Sequence, residues 1–254
     1  GLILFSSPQQ SWSEQLPPTA ESTMILIPAG TYKMGFKIDQ ALSECVKHND
    51  PCKRKWFEDE EPIHTIYLDS FLMDKFEVTQ EEFSRKTGNN PSEFKGDSLP
   101  VEKVTWQEAQ QYCKSTGKRL PTEAECEVAA KGGKEIIYSW GNEVQSGKAN
   151  FCDHYCEKRW NAKQFNDGFE TTAPVGSFPP NGYGLHDMGG NVYEWVFDWY
   201  GKEYYGRSPA KNPKGSLKGK YKVMRGGSWI NYPVGTRPTD RTDAKPGKRL
   251  NFAG

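Results

Sequence analysis

The chain has 254 residues, 35% of them hydrophobic and 13% aromatic, with 33 basic against 33 acidic side chains and no net charge. With 25 Gly and 17 Pro it is rich in turns, and no apolar run approaches the roughly 18 residues of a membrane span. This composition excludes a membrane-spanning helix protein, a coiled coil, a collagen and an acidic disordered chain.

Residues 1–22 are rich in Ser, Pro and Gln and read as a flexible lead-in. One domain is expected over 23–254, because neither an internal repeat nor a linker interrupts it. Met24-Ile-Leu-Ile-Pro-Ala-Gly30 is an apolar strand ended by a turn. Residues 37–62 form a polar insertion with Cys45, Cys52 and the acidic run Glu58-Asp-Glu-Glu61. His64 to Leu72 alternates loosely and reads as a strand.

Three capping boxes follow, Thr79-x-x-Glu82, Thr105-x-x-Glu108 and Thr122-x-x-Glu125. In each, the Thr hydroxyl accepts a free amide of the first turn and the Glu returns to the cap amide. Trp106, Ala109, Tyr112 and Cys113 then mark one face of a helix, and Gly117 and Gly132 mark helix ends. Three short helices are thus predicted within 80–131. Beyond residue 133 the chain reads as turns and short strands, punctuated by Pro179-Pro-Asn-Gly-Tyr-Gly184, Gly189-Gly190 and Gly226-Gly227.

The balanced charge hides an asymmetry: residues 207–254 carry 12 Lys or Arg against 2 Asp, a net +10, and residues 1–206 a net −10. Without a helix-turn-helix, zinc-finger or RNA-binding pattern, the tail is expected to fold onto the acidic body and not to bind nucleic acid. Six cysteines suit an exported, disulfide-bonded protein. Closeness in sequence favours Cys152–Cys156 and Cys45–Cys52, leaving Cys113 for Cys126. A zinc site is disfavoured, since Cys-x-x-Cys spacing is absent and the four His are scattered.

Two stretches are rich in oxygen ligands. Asp187-Met-Gly-Gly-Asn-Val-Tyr-Glu194 sets two carboxylates around a Gly-Gly turn, and Asn150-Phe151 recurs with Asp167-Gly-Phe169. Hard cations such as calcium prefer carboxylate and carbonyl oxygen, although acidic residues near glycines are more often solvated turns.

The same residues carry a resemblance. Ile27-Pro-Ala-Gly30, Asp74-Lys-Phe-Glu-Val-Thr79, Gly117-Lys-Arg-Leu-Pro-Thr-Glu-Ala-Glu125, Pro179-Pro-Asn-Gly-Tyr-Gly-Leu185, Gly190-Asn-Val-Tyr-Glu-Trp195 and Arg225-Gly-Gly-Ser-Trp229 occur in this order. The chain resembles the formylglycine-generating enzyme, or sulfatase-modifying factor, family from about residue 24 to its end. The resemblance implies an α+β, C-type-lectin-like fold: short helices, twisted antiparallel strands and much irregular loop. It also implies one or two structural calcium sites. One would use Asp187, the carbonyls of Gly190 and Val192, and Glu194. The other would use Asn150, the carbonyl of Phe151, Asp167, the carbonyl of Phe169, and Glu77.

The family's oxidase chemistry needs two copper-binding cysteines just past the Gly-Gly-Ser motif. The matching positions hold Asn231 and Thr236, and no cysteine follows Cys156. A cuprous ion requires soft thiolates, so no copper and no formylglycine-generating activity are expected. A second branch of the family, iron-dependent and reliant on a helical domain with three His, finds no counterpart among His48, His64, His154 and His186.

Past Arg225 the residues that the resemblance implies as the family's skeleton are kept: Trp229, Arg237, Arg241, Pro246-Gly247, Arg249 and Gly254. Between its members lie chemically miscellaneous residues: Ile230, Tyr232, Gly235, Asp240, Thr242, Asp243, Ala244, Lys245, Lys248, Leu250, Asn251 and Phe252. This pattern resembles the variable proteins of diversity-generating retroelements. It implies a non-enzymatic ligand-binding protein, with an enzyme of the family as the alternative. Residues 230–252 are then expected to form one exposed surface, with Tyr232 and Phe252 as main contacts. Trp229, Arg237, Arg241 and Arg249 would hold that surface from beneath. The expected partner is a protein or surface ligand of unspecified identity. The chain is expected to be exported, monomeric and displayed at the cell surface or outer membrane, any lipid anchor lying outside these residues.

Overall fold

A computed structural model describes residues 24–48, 50–156, 158 and 161–254; the expected lead-in at 1–22 lies outside them. The strands are β1 (Met24–Ile27), β2 (Gly30–Met34), β3 (His64–Leu68), β4 (Phe71–Asp74), β5 (Glu194–Trp199), β6 (Lys222–Arg225) and β7 (Thr242–Ala244). The helices are α1 (Ile38–His48), α2 (Gln80–Thr87), α3 (Trp106–Ser115) and α4 (Glu123–Lys131). The fold is α+β, with short helices, small twisted antiparallel sheets and much loop, as expected. No helix among the described residues is long and apolar enough to cross a membrane.

All three capping boxes form. Thr79, Thr105 and Thr122 each accept the amide of the Glu three residues on, and each Glu returns to the cap amide. Gly88 and Gly132 close α2 and α4 in the left-handed conformation, while α3 ends at Thr116. Two expectations are corrected. His64 to Leu72 is two strands: β3 pairs with β2, and after the turn at Asp69-Ser70 the chain changes sheet and β4 pairs with β1. The insertion 37–62 contains α1, which buries Ile38, Ala41 and Cys45 on one face.

The third sheet, β5-β6-β7, is antiparallel and central. It separates two apolar clusters. One joins Ile27, Ile66, Leu68, Val128, Val196 and Val223; the other joins Phe83, Val104, Leu120, Trp195, Met224 and Ala253. Aromatics supply much of the bulk, with Trp195, Tyr138, Tyr205, Phe57 and Phe151 fully buried.

The basic tail does fold onto the acidic body. Arg225 meets Glu127 at 2.6 Å, Arg237 meets Glu60 at 2.6 Å and Arg241 meets Glu123 at 2.7 Å, all of them buried. Lys222, also buried, places its ammonium 3.8 Å from the Trp106 ring centroid and 4.0 Å from that of Trp199. Burial lowers its pKa to about 8, while the two indole faces favour the cation.

Cys45–Cys52 and Cys152–Cys156 are disulfides, with Cα atoms 6.0 and 5.0 Å apart. The expected Cys113–Cys126 bridge is absent, and both are free thiols. The cause is topological: Cys113 on α3 faces the cluster of Trp195, whereas Cys126 on α4 faces that of Val196. Burial raises the pKa of both thiols. Alkylation of native protein should therefore label the half-buried Cys113 slowly and spare Cys126 until unfolding. Peptide mapping that found them bridged would overturn this assignment.

Candidate functional site

The loop entering β5 gathers the first oxygen set. Asp187 has φ of 54° and Asn191 of 60°, so the loop is held in the left-handed region where side chains are strained. Gly190, at φ 95°, lies against Asn150, and a Cβ there would collide with the Asn150 carbonyl. Its amide donates to the Gly226 carbonyl at 2.8 Å, and the Asn191 amide donates to that of Asn150 at 2.8 Å.

Asn191 joins the two oxygen sets. Its Oδ1 accepts from Asn150 Nδ2 at 3.2 Å, and its Nδ2 donates to Glu77 Oε2 at 2.5 Å. Glu77 Oε1 accepts the Val192 amide at 3.2 Å. Glu77, expected beside Asn150 and Asp167, thus sits with Val192 and faces Asp187 and Glu194. Its carboxyl is pushed well above the usual range by burial, then by the charges of Asp187 and Glu194. Glu194 is raised to about 7 by burial, Asp187 and Asp74. Burial also raises Asp187, whose Oδ2 accepts the Gly176 amide at 2.6 Å while its buried Oδ1 has no partner. Three mutually repelling carboxylates with an orphaned oxygen suit a hard cation. Among the described residues, however, no three His, Cys, Asp or Glu side chains converge on one point, so carbonyl oxygens would have to complete any cage.

The second set is more self-contained. Asp167 accepts the Phe151 amide at 3.0 Å and the Phe169 amide at 2.9 Å, so both carboxylate oxygens are engaged. Burial raises its pKa to about 7. Asn150 Nδ2 donates to the Thr171 carbonyl at 2.7 Å.

The copper positions of the family are built into the fold as polar side chains. Asn231 Nδ2 donates to the Tyr193 hydroxyl at 2.9 Å, and its Oδ1 accepts from Ser228 Oγ at 2.6 Å. Thr236, fully buried, donates to the Pro233 carbonyl at 2.7 Å. Neither position offers a thiolate.

Residues 230–252 are less exposed than expected. Lys245 and Lys248 are exposed; Ile230, Tyr232, Gly235, Asp240, Thr242, Asp243, Leu250, Asn251 and Phe252 are half-buried; Ala244 is buried. The reason is pairing and packing. Thr242–Ala244 forms a ladder with β6, Tyr232 packs on a third apolar cluster of Ile38, Ala41, Cys45, Phe57 and Val234, and Leu250 and Phe252 pack on the cluster of Trp195. Asp240 lies 3.7 Å from Arg237, and burial followed by the charge of Glu60 raises it to about 7. Arg237 and Arg241 are buried beneath the segment, but Arg249 is exposed and pairs with Glu108 at 2.6 Å. Trp229 is fixed by its Nε1 donating to the Asn251 carbonyl at 3.1 Å and by an edge contact with Phe94. Asn251 Nδ2 reaches Glu93 at 3.0 Å. Glu93 and Phe94 therefore adjoin this face, and no local pattern in the sequence marks them.

With this geometry in place, the model of the sulfatase-modifying factor enzyme 1-like domain matches residues 9–254. The chain belongs to this family. A formylglycine-generating enzyme from Mus musculus is 32% identical over 266 residues, covering 84% of this chain and 68% of that protein. A serine/threonine-protein kinase pkn1 from Chlamydia caviae is 35% identical over 223 residues, covering 76% of this chain. The chain spans 34% of the length of that chlamydial family relative. Among solved structures, Treponema denticola variable protein 1 superposes with a TM-score of 0.73 at 27% identity, over 91% of this chain and 92% of its own. The family scaffold is thus shared with a formylglycine-generating enzyme and with a variable protein, and this chain lacks the cysteine pair of the former.

Proposed function

We propose that the chain is a non-enzymatic ligand-binding protein that presents exchangeable side chains of its C-terminal segment on a fixed family scaffold. The observation that carries this is the pair Asn231 and Thr236, amide and hydroxyl side chains tied into the fold where oxidase chemistry needs thiolates. The likeness to a Treponema variable protein supports the same direction. Ile230, Tyr232, Asp243, Lys245, Lys248 and Asn251 retain solvent access above buried Arg225, Arg237 and Arg241. A ligand can reach such a rim while the arginine pairs beneath keep it rigid, so side chains can change with little loss of stability.

Calcium is proposed as a structural cofactor, held by Asp187 and Glu194 with the carbonyls of Gly190 and Val192. Its charge would offset the carboxylate repulsion there. Two disulfides suit an exported protein, and we propose that it acts at the cell surface as a monomer. The partner is a protein or other surface ligand.

Two measurements test the proposal. Purified protein with copper, oxygen and a Cys-containing sulfatase peptide should yield no formylglycine; any aldehyde product sinks it. Sequencing the locus across related isolates should find substitutions concentrated at the twelve positions from Ile230 to Phe252 named above. Variation spread evenly along the chain would argue against a diversified face.

A further inference from the structure

The charge of the tail is only partly absorbed by the body. Arg225, Arg237, Arg241 and Arg249 face carboxylates, Lys222 is buried among aromatic rings, and exposed Lys211 lies 3.6 Å from Asp69. Six exposed cations of the tail remain without an ion pair among the described residues: Lys245 and Lys248 near the C-terminus, and Arg207, Lys214, Lys218 and Lys220 clustered within 207–220. Residues 207–220 contain no Asp or Glu.

This loop is not slack. The Asn212 amide donates to the Tyr67 carbonyl at 2.8 Å, and its side chain reaches Asp69 at 2.7 Å. The Gly215 amide donates to the Tyr204 hydroxyl at 3.1 Å, and Ser216 bridges to Trp199. Gly219 packs so closely that a Cβ would lie 3.0 Å from Cβ of Trp199. Fixed on both sides, the loop thrusts out Leu217, which is fully exposed. A single exposed leucine needs no explanation, but one held on a stapled loop among cations that lack a carboxylate partner does.

We propose that the 207–220 loop is a docking surface for an anionic lipid bilayer, with Leu217 entering the interface while Lys214, Lys218 and Lys220 lie over acidic headgroups. A bilayer is the partner that uses both features. Cations near an anionic surface attract it, and an apolar side chain gains by leaving water for the acyl boundary. A nucleic-acid backbone offers nothing to an aliphatic side chain, and an acidic protein would need a preformed cleft for it. The loop sits apart from one portion of the candidate face but not from all of it, since Ala244 pairs with Lys222, opposite Trp199. Trp199, which carries Ser216, ends β5, whereas Tyr193, which holds Asn231 and pairs with the 252–254 stretch, precedes it. The loop and that part of the candidate face therefore lie at opposite ends of one strand. The docking surface does not depend on the proposed ligand-binding role.

The test is cosedimentation of the full chain with vesicles of equal parts phosphatidylcholine and phosphatidylglycerol, and with vesicles of phosphatidylcholine alone. Wild type should bind the former, fail to bind the latter, and be released by salt. Lys218→Glu with Lys220→Glu should weaken binding by at least about tenfold, at roughly fivefold for each cation removed. Leu217→Ser should weaken it by about tenfold, and Lys86→Glu on α2 should change nothing. Leu217→Trp should shift its emission to the blue on acidic vesicles only. Absence of wild-type binding to acidic vesicles, or full binding by Leu217→Ser, overturns the proposal. Equal binding to duplex DNA that ignores Leu217 would mark a general polyanion site and also overturn it.

Discussion

Arg225→Ala should destabilise the fold by about 3–5 kcal/mol and lower the melting temperature by about 10 °C or more. Arg225 Nη2 donates to Glu127 Oε2 at 2.6 Å and to the Pro238 carbonyl at 2.6 Å; Nη1 donates to the carbonyls of Thr239 and Asp240 at 3.1 and 2.6 Å. One guanidinium therefore ties β6 to α4 and folds the 238–240 turn around itself. Truncation leaves a buried carboxylate one cation short and three carbonyls without their donor. Lys131 still neutralises Glu127 at 2.8 Å, so the loss is severe rather than total. Burial alone would raise Glu127, but the charges of Lys131 and Arg225 outweigh it and hold the carboxyl at about 2. A depressed carboxyl stabilises the folded state above its ordinary value of 4.5 and stops doing so as pH falls towards about 2. Acid should thus narrow the gap between wild type and Arg225→Ala. Arg249→Ala is the comparison: its pair with Glu108 is exposed and should matter by less than about 1 kcal/mol. If Arg225→Ala melts within a few degrees of wild type, the arginine pairs are not what fixes this segment.

The parts of the fold legible in the sequence are those encoded locally. A Thr and a Glu three apart satisfy the free amides of one helix start without reference to the rest of the chain, so the caps alone place α2, α3 and α4. Helix α1 carries the spacing Ile38, Ala41, Leu42, Cys45, an apolar face, but has a polar surround and no capping box. The disulfides divide in the same way. Short-range pairs follow from proximity, while Cys113 and Cys126 are kept apart by which side of the central sheet each helix packs on.

The same limit governs the candidate site. Asp187, Glu194, Asn150 and Asp167 stand in two motifs and can be read from them. Glu77 lies more than a hundred residues away from Asn191 and Val192, and only the tertiary fold assigns it to their loop. The sequence overstates the exposure of 230–252, because alternation of fixed and miscellaneous residues says nothing about pairing. Thr242–Ala244 is a strand, and the chain at 252–254 runs beside β5. Phe252 is therefore partly a core residue, and a face built for exchange must rely more on Lys245, Lys248, Asn251 and the neighbouring Glu93.

Calcium should raise the melting temperature, and should do so more at pH about 8 than at pH about 5. Without a cation, Glu194 is held up at about 7 by burial and by the charges of Asp187 and Asp74, and Glu77 and Asp187 are raised as well. A raised carboxyl keeps a proton in the folded chain that the unfolded chain has lost. Between its ordinary 4.5 and about 7, Glu194 therefore makes the metal-free protein less stable as pH rises. Calcium competes with those protons, so its effect is greatest where they are absent. At about one hundred times its dissociation constant, a ligand bound only by the folded state adds about 2.7 kcal/mol, or about 5–10 °C here. Glu194→Gln separates this from general ionic stabilisation. With one repelling charge gone, the variant should melt above wild type in chelator at pH about 8, yet gain much less from calcium. A melting curve that chelator leaves unchanged, or a full calcium shift retained by Glu194→Gln, would place structural calcium elsewhere or nowhere in this chain.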